Sequence, residues 1–133
     1  MTDHPSVLGT YGMLPETNGL DKAVMKATFN KIWVEWKWGH TWGWDFPMTA
    51  MTAIRLELPE RAINALLMPV TTNTYLANGH NYQTPMLPIY LPGNGGFLSA
   101  LAMMATGTKD NPKSNMGFPS DWEVKWEGLE VML

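Results

Sequence analysis

Two stretches of this 133-residue chain have almost no polar side. Residues 48–57 (MTAMTAIRLE) are apolar or small nearly all round, broken mainly by Arg55, and so is FLSALAMMAT at 97–106. A helix of that kind is buried on most sides. Each follows an amphipathic segment. Met25, Phe29, Ile32, Trp33 and Trp36 share one helical face, with Lys22, Lys26, Asn30 and Glu35 largely opposite. That spacing predicts a helix over about 21–37, capped by Asp21. Pro59 stops the first apolar helix and starts another over 60–68. There Ala62, Ile63, Leu66 and Leu67 oppose Glu60, Arg61 and Asn64. Amphipathic, apolar, amphipathic, apolar is the order of two concentric layers. Stacked helical hairpins produce it, in solenoids or in closed α/α toroids. No residue-level repeat is visible, which weakens the solenoid reading.

The connections are less regular. Residues 1–20 are punctuated by Pro5, Gly9, Gly12, Pro15 and Asn18-Gly19 and read as irregular. Residues 38–46 (WGHTWGWDF) form an aromatic-rich loop, after which Pro47 suits a first helical position. From Pro69 to about Asn94 there is neither helical nor alternating period. A structureless run of that length is usually functional. Gly95-Gly96 opens the last helix and Gly107 stops it. Residues 108–120 are polar, with Pro and Gly, and read as a loop. Trp122, Val124 and Trp126 then alternate with charged residues, as do Leu129, Val131 and Leu133 after a phase shift at Gly128. This predicts two short strands, or one with a bulge. Residues 1–107 are therefore a helical-hairpin part, and 108–133 a loop and short β segment.

Composition narrows the chemistry. Nine Lys+Arg against twelve Asp+Glu give a net charge of −3, and no basic cluster exists, so nucleic acid is not an expected partner. There is no Cys, which excludes disulfides, thiolate metal sites and Cys nucleophiles. His4, His40 and His80 lack metal-ligand spacing, and no serine sits in a nucleophile-elbow motif. No metal or cofactor is expected. Residues 1–10 lack a basic and an apolar signal region, and the apolar stretch at 97–105 is far too short to span a bilayer. No membrane contact is expected, and the compartment stays open.

Seven Trp and eleven Met stand out. Trp offers a flat face for stacking on sugars or cations as well as core volume. Three motifs concentrate candidate chemistry. In Trp42-Gly43-Trp44-Asp45-Phe46-Pro47, Asp45 is either an acid/base or sugar-gripping carboxylate, or a cap for the helix beginning at Pro47. Trp42 and Trp44 would stack on a sugar ring. In Asn78-Gly79-His80-Asn81-Tyr82-Gln83, the polar side chains His80, Asn81 and Gln83 suit sugar hydroxyls, or satisfy their own loop. In Pro92-Gly93-Asn94-Gly95-Gly96, the glycines serve an anion cradle or close helix packing, and Asn94 is a further hydroxyl ligand.

At these motifs the chain resembles the C-terminal part of bacterial six-hairpin glycosidases. DHPSVLGTYGMLP, TWGWDFPMTAMTA, NTYLANGHNYQ, LPIYLPGNGGFLSALAMMA and WEVKWEGL look like a group described as similar to glycoside hydrolase family 65. A looser similarity is to family 95, whose chain also runs through a GN-GG segment into a helix. At the position of the family 95 catalytic base this chain has Pro92. The resemblance implies a mainly α fold, a partial (α/α)6 toroid of about four helices in two hairpins with a short C-terminal β segment. It implies a carbohydrate partner and an exported parent that hydrolyses glycosides, or alternatively cleaves them by phosphorolysis. A full toroid needs twelve helices, so the chain is expected to be a fragment. Its missing hairpins and second carboxylate would lie upstream, or self-association would cover it. Alone it would be inactive. The alternatives are a non-catalytic carbohydrate-binding protein and a structural or assembly segment.

Overall fold

A computed structural model describes residues 1–132. The chain is mainly helical. Its helices are α1 (Gly9–Gly12), α2 (Lys22–Glu35), α3 (Asp45–Arg55), α4 (Pro59–Leu66) and α5 (Leu91–Thr106). Strands β1 (Thr74–Tyr75) and β2 (Asn81–Tyr82) pair antiparallel between α4 and α5. Among the described residues, no helix is long and apolar enough to cross a membrane.

Helix α2 follows its sequence pattern. The Asp21 carboxylate accepts from the backbone N–H groups of Ala23 and Val24, at 2.7 and 3.1 Å, satisfying two orphan donors. Met25, Phe29 and Ile32 face the core. Every residue of α3 is buried, as its lack of a polar side requires. It packs against α1, α4 and α5 and forms the axis of the molecule. Its side chains meet Leu8, Tyr11, Ala62, Ala65, Ala100, Met103 and Met104 in one continuous core.

Close approach sets two of these packings. A Cβ at Gly12 would lie 2.8 Å from the Thr52 nitrogen, so only glycine lets α1 lie on α3. A Cβ at Gly96 would lie 2.7 Å from the Pro47 ring, which brings α5 onto the start of α3.

Helix α3 ends in a Schellman turn. Leu58 N–H reaches the Ala53 carbonyl and Glu57 N–H the Ile54 carbonyl, each at 2.9 Å. Pro59 then occupies the first position of α4, where its missing N–H costs nothing.

Several expectations are corrected. Helix α3 begins at Asp45, not Pro47, and Trp44 is its cap residue, so Asp45 does not cap it from outside. Helix α4 ends at Leu66, and Leu67 is exposed while Ala65 fills the core face. Residues 69–94 are not structureless. Asn78-Gly79 turns the β1–β2 hairpin, with Gly79 at φ 84° and Leu76 N–H bonded to the His80 carbonyl at 2.9 Å. Each strand is two residues long, too short to show a period.

Helix α5 begins at Leu91, so Pro92 through Gly96 lie inside its first turns rather than ahead of it. Gly107, at φ 74°, stops it as expected. The helix is not covered all round: Leu91 and Leu98 are exposed. The expected C-terminal strands do not form among the described residues. Residues 122–131 run without regular structure, and one isolated bridge joins Thr108 to Met132. Asn115 anchors this run instead. Its amide donates to the Val124 carbonyl at 3.2 Å and accepts from the Trp126 indole at 3.1 Å. The part of the predicted alternation that falls on Leu133 lies outside the described residues.

Candidate functional site

Two loops, 38–46 and 69–90, lead into the buried helices, and the fold brings them together. Gly43 N–H donates to Gln83 Oε1 at 2.9 Å. The Asn81 side chain lies between Gly43 and Gly93, and a Cβ on either would fall 1.9 or 2.3 Å from its Oδ1. Its amide donates to the Thr72 and Thr74 carbonyls, both at 3.2 Å. Asn94 completes the clasp. Its Oδ1 accepts from Asn81 N–H at 2.9 Å and its amide donates to the Gly79 carbonyl at 2.8 Å. Gln83 thus bonds the two loops to each other, Asn94 ties the hairpin to α5, and Asn81 packs between Gly43 and Gly93 with its Oδ1 unbonded. His80 sits half-buried at the hairpin turn. Among the described residues it makes no hydrogen bond or ring contact to the carboxylate discussed next.

On the far side of Gly43 the clasp presents a compact polar–aromatic cluster. Asp45, in the first turn of α3, is 0% exposed. Its Oδ2 accepts from Trp42 N–H at 2.7 Å and lies 2.8 Å from His4 Nδ1, while Oδ1 has no partner. The His4 ring is 31% exposed. It lies 5.2 Å from the Trp44 ring and 6.0 Å, edge-on, from that of Trp42. Tyr90, just before α5, meets Trp42 edge to face at 5.4 Å. On the solvent side, Asp3 Oδ1 stands 4.0 Å from His4 Nε2.

His4 is held there from behind. The Trp36 indole donates to the Asp3 carbonyl, and Lys37 N–H donates to the Met1 carbonyl at 2.9 Å. The residues that end α2 therefore fix the segment that covers Asp45.

Electrostatics follow from this burial. Loss of solvent pushes the Asp45 carboxyl above the ordinary carboxylate range, against the pull of Trp42 N–H and His4. Burial also raises the Tyr90 hydroxyl, and the Asp45 charge adds to that. The sign for stability is fixed. A carboxyl whose folded-state pKa is raised stabilises the fold below its ordinary value of 3.8 and loses that contribution as pH rises through the raised value. Asp45→Asn carries no such dependence. The melting temperature of the variant relative to wild type should therefore climb as melts are taken from acid to neutral pH. A difference that shrinks with rising pH would contradict the raised carboxyl.

The arrangement has a defined chemical direction. Asp45 orients the imidazole through Nδ1, and the outer nitrogen and the exposed Trp42 face solvent. Such a pair holds or relays a proton at the outer nitrogen. Trp44 also lines an apolar recess of about 300 Å³ with Met13, Met51 and Pro92. A larger concavity, about 870 Å³, lies elsewhere, between the end of α4, the hairpin and α5. Its walls include Leu67, Val70, Tyr75, Phe97 and Leu98, with no charged side chain. Burial pushes the Tyr75 hydroxyl up to about 12, and it donates to the Gly93 carbonyl at 3.2 Å.

Of the residues singled out from the sequence, Asp45, Trp42 and Trp44 meet at the cluster. Asn81, Gln83 and Asn94 stand behind it as the clasp, and His80 stands apart. His4, Tyr90 and Asp3 were not anticipated as site residues. His4 lies 41 positions from Asp45, and no local pattern marks it. Comparison with protein-family models, with curated proteins and with solved structures finds no match to this chain.

Proposed function

We propose that this chain is a segment of a glycosidase-like α/α toroid and supplies a carbohydrate-binding wall at the Asp45–His4 cluster. The observation that carries the reading is the convergence of two loops on a buried carboxylate–imidazole pair bordered by Trp42, Trp44 and Tyr90. Aromatic faces stack on the apolar faces of sugar rings, and an imidazole nitrogen beside them donates or accepts at a hydroxyl.

Binding, rather than bond cleavage, is the activity assigned to the chain itself. Glycoside hydrolysis uses two carboxylates flanking the bond. Asp45 is sealed beneath His4, and Asp3 lies on the solvent side of the same ring. In the whole toroid, the second carboxylate comes from hairpins outside this sequence. The bare apolar face of α5, with Leu91 and Leu98 exposed, fits a segment that packs against further hairpins or a second copy.

Titration of tryptophan fluorescence with a panel of mono- and disaccharides tests the reading. A saturable change is expected. Trp42→Ala should weaken it about tenfold, the factor an aromatic stacking contact supplies. Equal affinity in the variant would remove Trp42 from the site.

A further inference from the structure

We propose that the Asp45 cluster is a cation cage, and that the sugar it takes is an amino sugar whose ammonium replaces the His4 ring. The proposal rests on the carbohydrate reading above for the sugar, and on the cage itself for the charge.

Asp45 is fully buried and its Oδ1 has no partner. Two aromatic rings flank the imidazole, Trp44 at 5.2 Å and Trp42 at 6.0 Å, and Tyr90 packs against Trp42. A carboxylate held out of water is compensated by a cation far better than by a neutral hydroxyl. An aromatic ring that turns its face to that cation adds to the attraction. An ammonium also brings three donors, where the imidazole reaches Oδ2 with one nitrogen.

The cage is filled from within the chain. His4 occupies it as a ring on a segment outside any helix, Met1–Pro5. That segment is tethered through the Asp3 and Met1 carbonyls to Trp36 and Lys37. A ligand in place of the ring leaves Oδ2 its bond from Trp42 N–H. The resident imidazole therefore competes with a ligand cation and lowers its apparent affinity by the fraction of time it is seated.

Binding of glucosamine, glucose and methylammonium to the full chain, to His4→Ala and to Asp45→Asn decides this. Glucosamine should bind His4→Ala about tenfold more tightly than wild type, as for a cage seated nine-tenths of the time. Glucose should show no such gain, and in Asp45→Asn the preference for glucosamine over glucose should vanish. Equal binding of the two sugars by His4→Ala overturns the cation class and leaves the carbohydrate reading standing. Methylammonium bound by His4→Ala and not by Asp45→Asn, with neither sugar bound, supports the cage and removes the sugar. No binding of any probe overturns both. If His4→Ala melts far below wild type, the glucosamine-to-glucose ratio of Asp45→Asn against wild type settles the matter by itself.

Discussion

Gly43→Ala should destabilise the chain by about 3 kcal/mol, as overpacking of a site that cannot relax does. The new Cβ would lie 1.9 Å from Asn81 Oδ1, 2.8 Å from its Cγ and 3.0 Å from the Thr72 carbonyl. None of these is the free end of a flexible side chain. Asn81 is fixed by its amide bonds to the Thr72 and Thr74 carbonyls and by Asn94 at its backbone. On its other side it meets Gly93. The clash therefore parts the two loops, which releases Gln83 from Gly43 N–H and the Trp42 loop from its support. Asn81→Ala removes the obstructing oxygen. The double variant should be more stable than the sum of the two single losses by more than about 1 kcal/mol, a coupling typical of residues in contact. Chemical denaturation of the four proteins supplies the cycle. Strict additivity would mean that Asn81 does not join the loops.

Arg55→Ala should cost a similar amount, about 3 kcal/mol, for a different reason. Its guanidinium is buried at the end of α3. One nitrogen donates to the Tyr11 carbonyl at 2.7 Å and the Leu14 carbonyl at 2.5 Å. The other donates to Asp110 Oδ2 at 2.7 Å, and the group lies 4.7 Å from the centre of the Tyr11 ring. One side chain thus ties the segment after α1 and the loop after α5 to the central helix. Removing it leaves a buried carbonyl unpaired and a void beside Tyr11. Arg55→Lys should recover less than half of the loss, because a single ammonium cannot span the three acceptors. Urea unfolding with an unchanged slope reads the difference directly. A loss under about 1 kcal/mol for the alanine variant would mean that the ion pair behaves as a solvated surface contact.

These residues show where the sequence is informative and where it is silent. Helix α2 was legible because its pattern is local: Asp21 caps, and Met25, Phe29 and Ile32 recur on one face. The burial of α3 was legible for the same reason, since a segment with no polar side has no face to leave wet. The pattern predicts α5 too short because Gly93, Gly95 and Gly96 resemble a loop. Two of those glycines are set by tertiary contact, Gly93 by Asn81 and Gly96 by Pro47. The C-terminal alternation of Trp122, Val124 and Trp126 resembles strands, yet among the described residues no neighbouring strand pairs with it, and the Asn115 side chain bonds the Val124 carbonyl and the Trp126 indole instead.

The candidate site was half legible. Asp45 with its flanking tryptophans is contiguous, and contiguous aromatics beside a carboxylate stand out. His4, Tyr90 and the Gly43–Gln83 link join residues about forty positions apart and leave no local trace. Asn81, Gln83 and Asn94 carry the residue types of a sugar site, and the same types serve the packing here: Gln83 bonds Gly43, and Asn94 bonds the hairpin. Residue type alone does not separate those roles.

The most direct test follows the indole and amide protons of labelled protein by NMR during titration with a saccharide. Trp42 and Trp44 lie at the cluster, whereas the exposed Trp122 and Trp126 lie on the C-terminal segment and serve as internal controls. Binding at the cluster predicts saturable shifts of the Trp42 and Trp44 indoles and of the Gly43 amide, with Trp122 and Trp126 unmoved. Shifts confined to Trp122 and Trp126, or no shift at any saccharide concentration, would contradict a carbohydrate site over Asp45 and His4.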